Sequence, residues 1–172
     1  AIARLGETTG IRFDQRLLFG FSGGGQFVHR YLMAHPDRVD AAVVAAAGWY
    51  TFPDAGIAYP IGLRVGGSLA GVRLEARQFL RVPVLALVGS RDVERDESIR
   101  TTTKVDELQG VDRRERARRW IEAMRAAARS RSLPGRHEIL ELDGVGHSFA
   151  DCADAGLAKE TFAFFDSIER AA

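Results

Sequence analysis

The sequence predicts an α/β protein, a mostly parallel sheet flanked by helices. Short apolar runs alternate with stretches of helical periodicity, and short loops join them, which calls for right-handed crossovers between parallel strands. Two of the runs, Val39–Ala47 and Val82–Val88, are almost continuously apolar, as strands buried on both faces of a parallel sheet are.

In chain order, Ala1–Gly10 reads as a helix before the first strand, with Gly10 as its punctuation. Arg16–Phe21 is the first strand. Phe27, Tyr31 and Leu32 form a helical stripe after it, stopped near Pro36. Val39–Ala47 and Val82–Val88 follow as central strands. Ala117, Trp120, Ile121, Met124 and Ala128 mark a second helix, and Pro134-Gly135 turns the chain into His137–Leu142. That last run alternates, which suits a strand near an edge. Leu157, Thr161, Phe164, Phe165 and Ile168 give a closing helix. No internal repeat or low-complexity tract is present.

The 172 residues suit one domain, 1–172, with a real core. A net charge of +1 gives no overall reason to expect nucleic acid or an anionic membrane as partner. A lone Cys152 allows no internal disulfide, and with no H-E-x-x-H there is no metal signature. Neither a metal nor a cofactor is implied. No apolar run approaches the roughly 20 residues of a membrane span. Ala1-Ile2-Ala3-Arg4 has neither an initiator methionine nor a charged-then-apolar signal pattern. The chain is therefore expected to begin inside a longer protein or to be processed, and to be cytoplasmic. Oligomeric state is not legible.

Gly20-Phe21-Ser22-Gly23-Gly24 is a G-x-S-x-G between a buried strand and a helical pattern. A nucleophile at a sharp strand-to-helix turn takes a strained backbone, and its neighbours two residues before and after need little bulk, which Gly20 and Gly24 provide. The following helix aims its free N–H groups at the serine, and the N–H of Gly23 is the natural first oxyanion donor. Competing motifs fail. A P-loop needs Lys-Ser/Thr where Gln26-Phe27 stands, and a G-x-G-x-x-G has Val28 in place of its third glycine.

A serine at such an elbow expects an acid and then a histidine, each just past a strand tip. Asp92 follows Val84–Val88 through Gly89-Ser90-Arg91, with Glu94 and Asp96 as nearby competitors. His147 follows the last strand through Asp143-Gly144-Val145-Gly146, where two glycines let the loop bend over the serine. In the expected roles, His147 takes the hydroxyl proton and Asp92 fixes its tautomer. His29, His35 and His137 lie inside or at the ends of regular elements and read as structural.

These motifs, with GFSGGGQFVHRYLMAHPDRV, AAAGWYTFPD, LVGSRDVERD and DGVGHSF, resemble the α/β-hydrolase fold superfamily, and within it bacterial esterase-like and polyhydroxyalkanoate-depolymerase-like serine hydrolases. The resemblance runs over nearly the whole chain, from just before the family's fifth strand to its final helix. It implies acyl transfer to water through a serine ester, on a small-molecule ester. The family's first four strands, and the loop that supplies the second oxyanion N–H, have no counterpart here. The chain is thus expected to be the fold's C-terminal portion, to expose the Ser22 strand as an edge, and to be inactive or weakly active alone.

Two stretches remain. Trp49–Leu80 is a long, Gly-, Pro- and aromatic-rich connection between two buried strands, where a plain crossover helix is expected. It reads as a short lid or pocket insertion (49–80), with Trp49, Tyr50 and Phe52 either lining a substrate pocket over Ser22 or packing in the core. Arg113–Arg136 holds nine arginines flanking the Trp120 stripe and reads as a solvated helix face rather than a nucleic-acid patch. The function expected is a serine hydrolase of carboxylic esters. A peptidase, lactonase or acyltransferase on the same scaffold, or a non-catalytic hydrolase-fold protein binding a small apolar ligand or a partner, are the alternatives.

Overall fold

The computed structural model describes residues 8–10, 15–67 and 71–169. Among them β1 (Leu17–Phe21), β2 (Ala41–Ala45), β3 (Val84–Gly89) and β4 (His137–Leu142) form one parallel sheet in that order. Each strand sits inside an apolar run of the sequence. β2 and β3 are buried along their whole length, while β4, at one edge, is largely half-buried. Fully burying each Val or Leu of the central pair contributes about 1.5–3 kcal/mol, so these two strands anchor the sheet.

Helices cover both faces. Val44, Ala86 and Val88 face one way, against α1 (Gly23–Ala34) and α4 (Arg113–Arg129). Val43, Leu85 and Leu87 face the other way, against α5 (Phe149–Asp154) and α6 (Leu157–Glu169). Short helices α2 (Ala76–Phe79) and α3 (Thr103–Gln109) lie in the connections. The α4 helix starts where Asp112 caps it, accepting from the Glu115 N–H at 2.8 Å. All five apolar residues of its expected stripe are buried.

Three expectations need correction or restriction. The buried face of α1 is Val28, Leu32 and Met33 with His29, whereas Phe27 is 65% exposed and Tyr31 only half-buried. Of the expected stripe only Leu32 is fully buried, with Tyr31 packed at the margin of the core. The arginine-rich helix is not simply solvated, because Arg113 and Arg116 are fully buried. Most of the helix expected over Ala1–Gly10, residues 1–7, lies outside the described residues, and Gly10 has a positive φ of 68°.

The other outer strand is β1. Beside it Leu17, Phe19, Phe149, Leu157, Phe162 and Phe165 line an open apolar cavity of about 380 Å³, with Phe149 and Phe162 more than half exposed.

Candidate active site

Ser22 stands between β1 and α1 with φ 52°, ψ −115°, a backbone conformation that side chains rarely adopt. The turn is held on β2, because the Ser22 N–H donates to the Ala45 carbonyl at 2.8 Å. Within this turn, space is scarcest at two glycines. A Cβ on Gly20 would lie 2.3 Å from the Gly24 carbonyl oxygen, and one on Gly25 would lie 2.9 Å from the Ala45 oxygen. A Cβ on Gly24 meets nothing within 4 Å. The expected need for a side-chain-free Gly24 is thus corrected: Gly24 crowds Gly20 through its backbone, and Gly25 is the second position that must lack bulk. The first N–H groups of α1, beginning with Gly23, have no intrahelical acceptor and open toward the serine.

Asp92 and His147 come to Ser22 from neighbouring strand tips. The loops after β3 and β4 are fastened together: Ser90 N–H donates to Leu142 O (2.8 Å), Arg91 N–H to Val145 O (2.9 Å), and Gly144 N–H to Ser90 Oγ (2.8 Å). They touch so closely that a Cβ on Gly89 would sit 2.2 Å from Val145 O. His147 Nδ1–H then donates to Asp92 Oδ2 at 2.9 Å, and Nε2 accepts from the Ser22 hydroxyl at 3.0 Å. Phe21 stacks on the imidazole, centroids 5.4 Å apart, and Phe149 meets Phe21 edge-on.

Of the three acids considered after β3, only Asp92 reaches the histidine. Asp96 faces Arg113, whose hydrogen bond, with that of Ser98, holds its carboxyl well below the usual carboxylate range. Glu94 is exposed. Sequence reasoning missed Arg113. Its guanidinium, 1% exposed, approaches Asp92 Oδ1 at 3.3 Å and Asp96 Oδ1 at 3.0 Å, and it also hydrogen-bonds Ser98. Nothing in the pattern of α4 marks Arg113 apart from its neighbours. Its place in the first turn, right after the Asp112 cap, is the only signal.

The three aromatic residues after β2 separate. Tyr50 is buried, stacked on Trp120 at 4.6 Å, and gripped through its backbone by Gln109 on both sides (2.8 Å each). Burial first, and then Asp92, pushes its phenol up. Phe52 is 6% exposed within the same core. The structure therefore puts both in the packing under the crossover, where the Trp120 indole N–H also donates to Thr51 O. Trp49 alone is half-buried, with Arg30 and Arg100 over its ring.

The other histidines do not join the site. His29 is buried; its Nε2 accepts the Thr51 N–H at 3.0 Å, so Nδ1 carries the proton donated to Gly25 O. Burial, and then Arg30, lowers its pKa to about 3. His137 is buried at the start of β4, and burial and then Arg125 bring it down to about 4. Among the described residues no cluster of His, Cys, Asp and Glu is arranged to hold a metal, and no helix is long and apolar enough to cross a membrane.

Neither a protein-family model nor a curated protein sequence matches the chain. Solved structures do. Poly(aspartic acid) hydrolase-1 from Sphingomonas sp. KT-1 is 28% identical with a TM-score of 0.77, over 95% of this chain and 58% of that one. A poly(3-hydroxybutyrate) depolymerase from Bordetella parapertussis is 31% identical with a TM-score of 0.70, over 86% of this chain and 53% of that one. A monoacylglycerol lipase from Paleococcus ferrophilus, 18% identical with a TM-score of 0.50, shares the fold. The chain thus spans a little over half the length of the first two. Parallel sheet, helices on both faces and these likenesses agree, and the chain belongs to the α/β-hydrolase fold superfamily.

Proposed function

We propose that this chain is the catalytic part of a serine hydrolase that cleaves carboxylic esters through an acyl-enzyme on Ser22. The observation that carries the reading is the continuous hydrogen-bonded line from Ser22 Oγ through His147 to Asp92. His147 Nε2 accepts the hydroxyl proton as Oγ attacks the ester carbonyl, and the imidazolium then gives that proton to the departing alkoxide. Water attacks the acyl-enzyme with His147 again as base, releasing the acid and restoring Ser22. Asp92, with no exposed side-chain surface, orients the ring and stabilises its charged form. The Gly23 N–H supplies one oxyanion contact from the head of α1. The two similar structures named above, a poly(aspartic acid) hydrolase and a poly(3-hydroxybutyrate) depolymerase, support hydrolysis as the reaction class.

The test is labelling with a fluorophosphonate, in which Ser22 Oγ bonds to phosphorus as fluoride leaves. Peptide mapping is expected to find the label on Ser22, and His147→Ala to abolish it. A label on another residue, or one indifferent to His147, overturns the proposal.

A further inference from the structure

We propose that Trp49, Arg30 and Arg100 form a subsite for a carboxylate carried by the substrate. The inference rests on the hydrolase reading for its link to turnover, and on charge and geometry for the subsite itself.

The cluster is connected to Ser22 through α1. Gln26, one turn along α1, has its side chain against Gly48, and Trp49 follows Gly48 directly. Arg30 lies one further turn along the same face, its Nη1 donating to Gln26 O at 3.0 Å and its Nε to Thr51 Oγ1 at 3.2 Å. At 1.5 Å per residue, Arg30 stands about 12 Å from Ser22 along the helix axis. That span fits a group at the far end of an acyl chain rather than the scissile carbonyl.

Both guanidiniums converge on one indole: Arg30 Cζ lies 4.2 Å and Arg100 Cζ 4.8 Å from the Trp49 ring centroid. A cation–π contact holds each cation in place but leaves its charge uncompensated. Three acids of this region are committed elsewhere. Asp92 and Asp96 face Arg113, and Asp106 faces Arg95 and Arg116. Neither Arg30 nor Arg100 has a carboxylate partner among the described residues. Arg30 Nη2 is itself buried without an acceptor, so the charge of this guanidinium is not neutralised within the protein. Burial and the charge of Arg100 both weaken Arg30's hold on its proton, with Tyr59 acting the other way. Elsewhere in this molecule a buried guanidinium is matched to an acid. Here the half-buried Arg30 and the exposed Arg100 meet with none, beside a half-buried aromatic ring. A substrate carboxylate supplies the missing charge, with Arg100 as the accessible fork that receives it.

The experiment compares the 4-nitrophenyl hemi-ester of suberic acid, whose far end is a carboxylate, with its methyl-capped neutral counterpart. In Arg100→Gln the preference for the anionic ester in kcat/KM is expected to fall about tenfold, through KM, and to lose its sensitivity to salt. Arg129→Gln, at the far end of α4, controls for net charge. Free suberate, titrated by tryptophan fluorescence, is expected to bind Arg100→Gln about tenfold more weakly than the parent. That binding arm needs no turnover. If Ser22 proves unreactive while suberate still discriminates, the hydrolase reading fails and the subsite stands. If Arg100→Gln and Arg129→Gln behave alike in both arms, the subsite is overturned.

Discussion

Two regions of this molecule remove polar side chains from water, and they do so in opposite ways. At the strand tips, Ser22 and His147 are half-buried and connected by single hydrogen bonds between loops, with only Asp92 fully enclosed. Under the crossover, Arg116 is wholly buried and bonded at all three nitrogens: it donates to Gly110 O, Gly48 O, Arg100 O and Asp106 Oδ1, all within 3 Å. Gln109 and His29 fasten the backbone of Tyr50 and Thr51 in the same region. The first region keeps groups available for chemistry. The second fixes the crossover and α4, and Arg113 links the two. The strand tips are thus braced through Asp92 by a buried charge on α4, Arg113.

Removing Arg113 breaks that link, and the largest effect is expected there. Asp92 has no exposed side-chain surface, so Arg113→Gln leaves its Oδ1 buried without a cation. Deleting one partner of a buried pair costs about 3–5 kcal/mol, measurable by urea unfolding. If Asp92 shifts by even an ångström, fluorophosphonate labelling of Ser22 should slow about a hundredfold. Arg113→Lys, which keeps charge but not the fork, should recover part of both. Lost stability with an unchanged labelling rate per folded molecule would show Arg113 to be a scaffold residue alone.

The packing region answers to acid through His29. Its folded pKa of about 3 lies below the ordinary 6.5, so the unfolded chain binds the proton more readily. The stabilisation is therefore complete above pH 6.5 and is lost as pH falls toward 3, at up to about 1.4 kcal/mol per pH unit. Protonation also removes the Nε2 lone pair that accepts the Thr51 N–H. His137, brought down to about 4, loses stability in the same direction over a narrower window. Chemical unfolding between pH 7 and 4 checks this: the stability of His29→Gln should vary less steeply than the parent's. Parallel curves would mean that His29 does not carry the acid response.

How much of this was legible follows the same division. The strands were readable because burial on both faces leaves little besides Val, Leu and Ala, as in Ala41–Ala45 and Val84–Val88. Ser22, Asp92 and His147 were readable as strand-tip residues because sharp turns demand glycine, and glycine is visible in a sequence. The packing region was not. Arginine reads as solvent-facing, and only the tertiary partners of Arg113 and Arg116 make their burial tolerable. Phe27 reads as core by its period, yet Val28 and Leu32 hold that face. Tyr50 and Phe52 could not be separated from Trp49 by composition, because which of three adjacent aromatics turns outward depends on Gln109 and Trp120, some 59 and 69 positions away.

The smallest expected effect sharpens the description of the turn itself. Gly20 and Gly24 flank Ser22 symmetrically, and by motif alone their replacement should be equally harmful. Their surroundings differ. A methyl on Gly20 would strike the Gly24 carbonyl at 2.3 Å, with backbone on both sides of the clash and no flexible side chain to yield. Gly20→Ala should therefore cost about 1–3 kcal/mol by overpacking, and displace the serine with it. Gly24 lies in the first turn of α1 with open space where a Cβ would stand, and alanine there only restricts the unfolded chain. Gly24→Ala should be neutral or gain about 0.5 kcal/mol. Thermal unfolding of the two variants measures the difference directly. Equal losses would mean that the turn is limited by conformation at both glycines, and not by the close approach of β1 to α1.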